Sequence, residues 1–229
     1  VHTAANDDGM GLADWVFPGF LFFLGLSVPF AFMAREKQGI SGKQLLIHIL
    51  IRTFSLLLIG VFMVNSENYN AELTGIDKNL YLFIIYIFIF LIWNDYPKES
   101  KNNKIYKGFK LAGMLGLIVM AALYRSGTAE NPGWMSTSWW GILGLIGWGY
   151  LVSALTYFWL KENIFGIALI WTGFVLLNVL AQTSFLDFLY PIKPVLGVII
   201  DGNVPSIVLA GLLIGTLLKK YKTNQKQFL

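Results

Sequence analysis

Residues 44–64 read QLLIHILIRTFSLLLIGVFMV, an apolar run interrupted by only two ionisable side chains, His48 and Arg52. A helix that crosses a bilayer core takes about 20 such residues. The stretch therefore reads as a transmembrane helix, and six runs of similar character accompany it. These are Trp15 to Ala34, Leu80 to Trp93, Phe109 to Tyr124, Trp139 to Leu160, Phe165 to Leu186 and Ser206 to Leu218. The fold class that follows is all-α, a polytopic transmembrane helical bundle of seven spans with Gln44 to Val64 as the second. It is expected to form a single domain over residues 1–229, with an outer loop at 1–14 and a cytoplasmic tail at 219–229.

Composition excludes most alternatives. Of 229 residues, 56% are hydrophobic and 13% charged, against about 25% charged in an average soluble domain. The chain has no cysteine, which removes disulfides, zinc–thiolate sites and a cysteine nucleophile from consideration. Nor does it contain G-x-x-x-x-G-K-[ST], G-x-G-x-x-G or H-E-x-x-H, so phosphate-loop, dinucleotide and zinc-protease readings have no support. No bound metal is expected.

Charge then orients the spans. Thirteen of the seventeen basic residues fall on one set of loops and the C-terminal tail. They include Arg35, Lys37, Lys43, the run Lys98 to Lys110, and Lys161. The opposite loops hold only Lys78, Arg125 and Lys193. By the positive-inside rule the N-terminus is expected outside and the C-terminus in the cytoplasm. The lysine run reads as a topology determinant beside anionic lipid, and nucleic acid is not an expected partner. The chain opens on Val1-His2, with no Met and no signal-peptide pattern before Trp15. An upstream in-to-out helix in a longer parent is the expectation that accounts for this.

Polar residues inside such a bundle point to candidate sites. His48 and Arg52 are four apart and share a helix face. Arg52 lies eight residues in from Gln44, about 12 Å at 1.5 Å per residue. Two readings are open: the pair snorkels to the cytoplasmic headgroups, or it faces a cavity and binds an anion such as a phosphate, which suits arginine's planar fork. Outside, His2, Asn6, Asp7, Asp8 and Asp14 crowd the first loop. Asp14 would orient His2, or simply cap the helix that starts at Trp15. Asn65 and Asn68, after the second span, are candidates for binding a polar substrate such as a sugar. Pro18 and Pro29 predict kinks in the first span. Gly211 and Gly215 predict close packing by the seventh.

The blocks His2-Thr3-Ala4-Ala5-Asn6, Gly11-Leu12-Ala13-Asp14-Trp15-Val16-Phe17-Pro18-Gly19-Phe20 and Leu50-Ile51-Arg52-Thr53-Phe54-Ser55 resemble the heparan-α-glucosaminide N-acetyltransferase family. The resemblance covers roughly residues 2–66. It implies a fragment of a larger protein of about eleven spans, each needing its own apolar run. It also implies a membrane acetyltransferase that takes acetyl from cytosolic acetyl-CoA and places it on an amino sugar or glycan across the membrane, in a bacterial inner membrane. His2 stands where that family carries its active-site histidine, as base or acetyl carrier, with Asp14 or Asn6 orienting it. Arg52 and His48 would hold the CoA phosphate or pantetheine, and Lys107 and Lys110 the 3′-phospho-ADP end. The family's tryptophan after the histidine is replaced here by Ala4 and Ala5, which bears on the acceptor pocket. A homodimer is compatible with this reading. The rival reading is a permease for a small polar or sugar-like solute, for which buried Arg and His and kinked helices would also serve.

Overall fold

The computed structural model describes residue 9 and residues 11–97 and 103–227. In chain order its helices are α1 (Leu12–Lys37), α2 (Gly42–Asn65), α3 (Ala71–Thr74), α4 (Lys78–Trp93), α5 (Asn103–Leu123), α6 (Gly141–Leu160), α7 (Ile164–Ala181), α8 (Lys193–Ile200) and α9 (Asn203–Gln227). A two-stranded antiparallel ribbon, β1 (Ser126–Gly127) and β2 (Pro132–Gly133), follows α5. A 3₁₀ segment, Ser184–Ile192, precedes α8. Six helical segments are long and apolar enough to cross a membrane, and the apolar α4 is shorter. The all-α transmembrane bundle is thus what the sequence implies.

Local chemistry sets the helix ends. Gly11 caps α1 in extended backbone, and Asp14 in the first turn accepts the Gly11 N–H at 2.7 Å. Asp14 is therefore the reciprocal partner of a capping arrangement rather than the cap itself. Pro18 and Pro29 both lie within the continuous α1. The helix stops at Gln38-Gly39, where Gly39 takes φ +73°, a left-handed turn that costs glycine nothing. Ser41 and Gln44 then open α2 as a capping box. The Ser41 N–H donates to Gln44 Oε1 at 3.0 Å, and the Gln44 N–H donates to Ser41 Oγ at 3.4 Å.

By contacts the chain divides into two units, residues 1–58 with 142–229, and residues 59–141. In the first, the core gathers Val28 and Phe32 of α1, Leu45 and Ile49 of α2, Tyr150, Ala154 and Tyr157 of α6, and Leu209 and Leu212 of α9. Helices α1 and α9 touch backbone to backbone. A Cβ on Gly25 would overlap the Val208 carbonyl, and one on Gly211 would overlap the Phe22 carbonyl. Gly215 meets the Leu26 carbonyl in the same way. This is the small-residue packing expected of α9. At the lysine-rich end, Lys161 pairs with Glu36. Lys219 reaches Glu162 at 2.8 Å and donates to the Tyr157 hydroxyl at 2.9 Å.

In the second unit α4 and α5 form a hairpin, with Gly113 against the Phe88 carbonyl. Three buried tyrosines tie the hairpin to the end of α2. Tyr69 stacks on Tyr81 at 4.3 Å, and the hydroxyls of Tyr81 and Tyr124 donate to the Met120 and Asn65 carbonyls at 2.9 Å each.

Several boundaries differ from those read in the sequence. The sixth span ends at Ala181 instead of Leu186. The Pro191 and Pro194 region, expected as loop, instead carries the 3₁₀ segment and α8. Both prolines sit where a missing N–H is tolerated or the turn is not α-helical. The helix of the last span, α9, continues through residues 219–227 and ends at Gln227.

Candidate functional site

The feature that stands out in the first unit is a pair of guanidinium groups on one small cavity. Arg35 lies in the last turn of α1, and Arg52 lies ten residues into α2. The short turn at 38–41 folds these helices back on each other. Residues near the end of α1 therefore meet residues near the start of α2. Arg35 Nη2 donates to His48 Nε2 at 2.7 Å. An arginine N–H can only donate, so Nε2 is the acceptor and the ring's proton sits on Nδ1. One turn further along α2, the Arg52 guanidinium lies over the Tyr150 ring of α6, 4.9 Å from its centroid. A cation on the electron-rich ring face is attracted by its quadrupole.

Both arginines line a cavity of about 80 Å³ whose wall is α1 from Leu24 to Phe32. Its polar lining is Ser27, Arg35, Arg52 and Tyr150. Neither arginine is paired with a carboxylate among the described residues; Glu36, next to Arg35 in sequence, is taken by Lys161. Two like charges on one low-dielectric cavity repel each other. An anion between them would reverse that term and use the donors of both forks. Liquid water occupies about 30 Å³ per molecule. The space therefore matches one phosphate group or the end of a slender chain.

Among the described residues, the other expected site residues are not part of this cavity's lining. His2 and Asn6 lie outside the described residues. Asp14 accepts the Gly11 N–H, as described. Asn65 is buried, and its amide donates to the Val61 and Ser136 carbonyls at 2.7 Å each. Its Oδ1 accepts the Ser136 N–H at 3.0 Å. One amide bond thus closes back on α2, and the pair of bonds with Ser136 clips α2 to the loop before α6. Asn68 is exposed in the turn after α2. Lys107 and Lys110 belong to the second unit, where they line a pocket with Tyr96 and Tyr106.

Reading the sequence alone missed Arg35 and Tyr150. Arg35 reads there as one more cytoplasmic charge. The signal for its second role is the four-residue turn, which forces an antiparallel hairpin and so pairs position 35 with position 48. Tyr150 carries no such signal; it is one aromatic in an apolar run.

Comparison with known proteins places the chain. Residues 3–196 match a family described as Domain of unknown function (DUF5009). The chain belongs to the DUF5009 family. This DUF5009 chain is also similar to the heparan-alpha-glucosaminide N-acetyltransferase of Mus musculus, with 31% identity over 106 residues. The match takes in 42% of this chain and 16% of the mouse protein. The DUF5009 chain therefore corresponds to a small part of that relative. No solved structure matches it.

Proposed function

We propose that this chain is the donor-binding part of a membrane acetyltransferase, in which Arg35 and Arg52 hold a phosphate or the pantetheine arm of acetyl-CoA. One observation carries the reading: two guanidinium groups, neither in an ion pair among the described residues, converge on a cavity the size of one phosphate, at the helix ends rich in basic residues. The similarity to an N-acetyltransferase supports acyl transfer over simple anion binding. The acceptor would be an amino sugar or glycan on the far side of a bacterial inner membrane, with the C-terminus in the cytoplasm. In the transfer the acceptor nitrogen attacks the thioester carbonyl carbon, the C–S bond breaks and CoA leaves as the thiol. His2 would take the proton from the attacking amine, or would itself carry the acetyl group between two half-reactions. Asn6, and Asp14 from the first turn of α1, would orient it. Asn68, exposed after α2, would contact the acceptor.

The test uses the chain in nanodiscs with acetyl-CoA and glucosamine, following CoA binding and free-thiol release. Arg52→Gln is expected to weaken CoA binding about 10- to 100-fold, the value of one or two charge-assisted hydrogen bonds at about 1.5–3 kcal/mol in total. His2→Ala is expected to leave CoA binding intact and abolish transfer. A chain that binds no CoA, or an Arg52→Gln variant that binds it normally, would overturn the proposal.

A further inference from the structure

The second unit holds a pocket of its own. It has a volume of about 370 Å³ and sits where the polypeptide leaves α4 and enters α5, lined by Asp95, Tyr96, Asn103, Tyr106, Lys107 and Lys110. At about 30 Å³ per water, that is room for about a dozen waters, or for a phosphodiester with its polar substituent. The floor is rigid. Tyr96 stacks on Tyr106 at 4.9 Å with the rings 21° from parallel, and its hydroxyl donates to the Leu91 carbonyl at 3.0 Å. Lys110 holds its ammonium 5.6 Å from the Tyr96 centroid. Among the described residues neither Lys107 nor Lys110 forms an ion pair.

From this we infer that the pocket binds the headgroup of an anionic phospholipid, with Lys107 and Lys110 on the phosphodiester. The occupant is argued from position. At 1.5 Å per residue the 16-residue α4 is about 24 Å long, shorter than a hydrocarbon core of about 30 Å. Its end is therefore drawn to the headgroup layer. Exposed Phe90, Trp93, Ile105 and Phe109 lie beside the pocket's residues in sequence and present apolar surface suited to acyl chains. Stacked tyrosines at such a level are interface residues. The Asp95 carboxylate opposes an anion and so gives the assignment a second, oppositely signed test.

The experiment is native mass spectrometry of the detergent-solubilised chain, titrated with phosphatidylglycerol or with phosphatidylcholine of the same acyl chains. The wild type is expected to retain phosphatidylglycerol preferentially. Lys107→Gln/Lys110→Gln is expected to lose that binding about 10- to 30-fold, from about 1 kcal/mol per lysine. Lys37→Gln/Lys43→Gln, with the same charge change on exposed lysines of the first unit, is expected to change it less than twofold. Lys107→Arg/Lys110→Arg is expected to keep it, and Asp95→Asn to strengthen it. Equal loss in both glutamine pairs, no preference for phosphatidylglycerol, or its displacement by adenosine 3′,5′-bisphosphate would each overturn the assignment. If the glutamine pair does not fold, Asp95→Asn decides: unchanged or weaker binding overturns it.

Discussion

Arg35 and His48, thirteen residues apart, meet at 2.7 Å through Nη2 and Nε2 across the turn between α1 and α2. Arg35 is the donor, and the contact fixes where its guanidinium points. His48 is therefore a positioning residue: it does not line the cavity but holds a side chain that does. His48→Ala leaves the arginine free to swing toward the headgroups. The lost charge-assisted hydrogen bond is worth about 1.5–3 kcal/mol, part of which the freed arginine recovers in water. CoA affinity is expected to fall about fivefold to tenfold, by calorimetric titration. His48→Gln, whose amide oxygen can accept the same N–H, is expected to restore most of it. Equal losses in both variants would show that a hydrogen-bond acceptor at this position is not what holds Arg35.

The α1–α9 contact predicts a contrast between glycines. Gly211→Ala drives a methyl into the Phe22 carbonyl, so the helices must separate along their length. Overpacking of this kind costs about 1–3 kcal/mol, and thermal unfolding in detergent should show a lower midpoint. Gly19→Ala on the same helix pair has open space around its Cβ and removes a residue that disfavours helix by about 1 kcal/mol. Its midpoint is expected to be unchanged or raised. If both variants behaved alike, close packing at Gly211 would be wrong.

These outcomes separate what the sequence makes legible from what it hides. Spans follow from one-dimensional hydropathy, because each must satisfy its backbone internally within about 30 Å of hydrocarbon. The seven segments appear in the structure for that reason. The use of Gly211 and Gly215 is similarly legible, since spacing of four places both on one face. Partner choice is not. The clip made by Asn65 to Ser136 joins residues 71 apart, and no local pattern announces it. Residues 187–205 read as loop in the sequence because they lie between two apolar runs and include Pro191 and Pro194. A 3₁₀ segment followed by a short helix meets the same constraint.

The Asn65 clip has a local consequence. Asn65→Ala removes three hydrogen bonds at once and leaves Ser136 N–H and C=O without their partner. Leaving such groups unsatisfied costs about 1–3 kcal/mol, less where water can enter. Hydrogen exchange is expected to accelerate in residues 134–138 while α1 and α9 keep their protection. Exchange that rises throughout the chain would instead make Asn65 a determinant of global stability.

Orientation can be read directly because the chain has no cysteine. A single introduced thiol is then the only target for a membrane-impermeant maleimide. The lysine-rich connections include the α1–α2 turn, and the opposite set includes the α2–α4 connection and the ribbon after α5. Moving one lysine or arginine out of the lysine-rich connections carries a topological penalty, so the thiols belong at uncharged exposed sites. Gln38→Cys in the α1–α2 turn and Thr128→Cys in the ribbon serve, since both side chains are exposed. In intact cells Thr128→Cys is expected to label and Gln38→Cys is not, with the order reversed in inside-out vesicles. The thirteen-to-three imbalance of basic residues is strong enough that dual orientation would be a surprise on physical grounds. Labelling of Gln38→Cys from outside would invert the bundle and put the two arginines at the outer face. There cytosolic acetyl-CoA could not reach them, and the donor-site assignment would fall with the orientation.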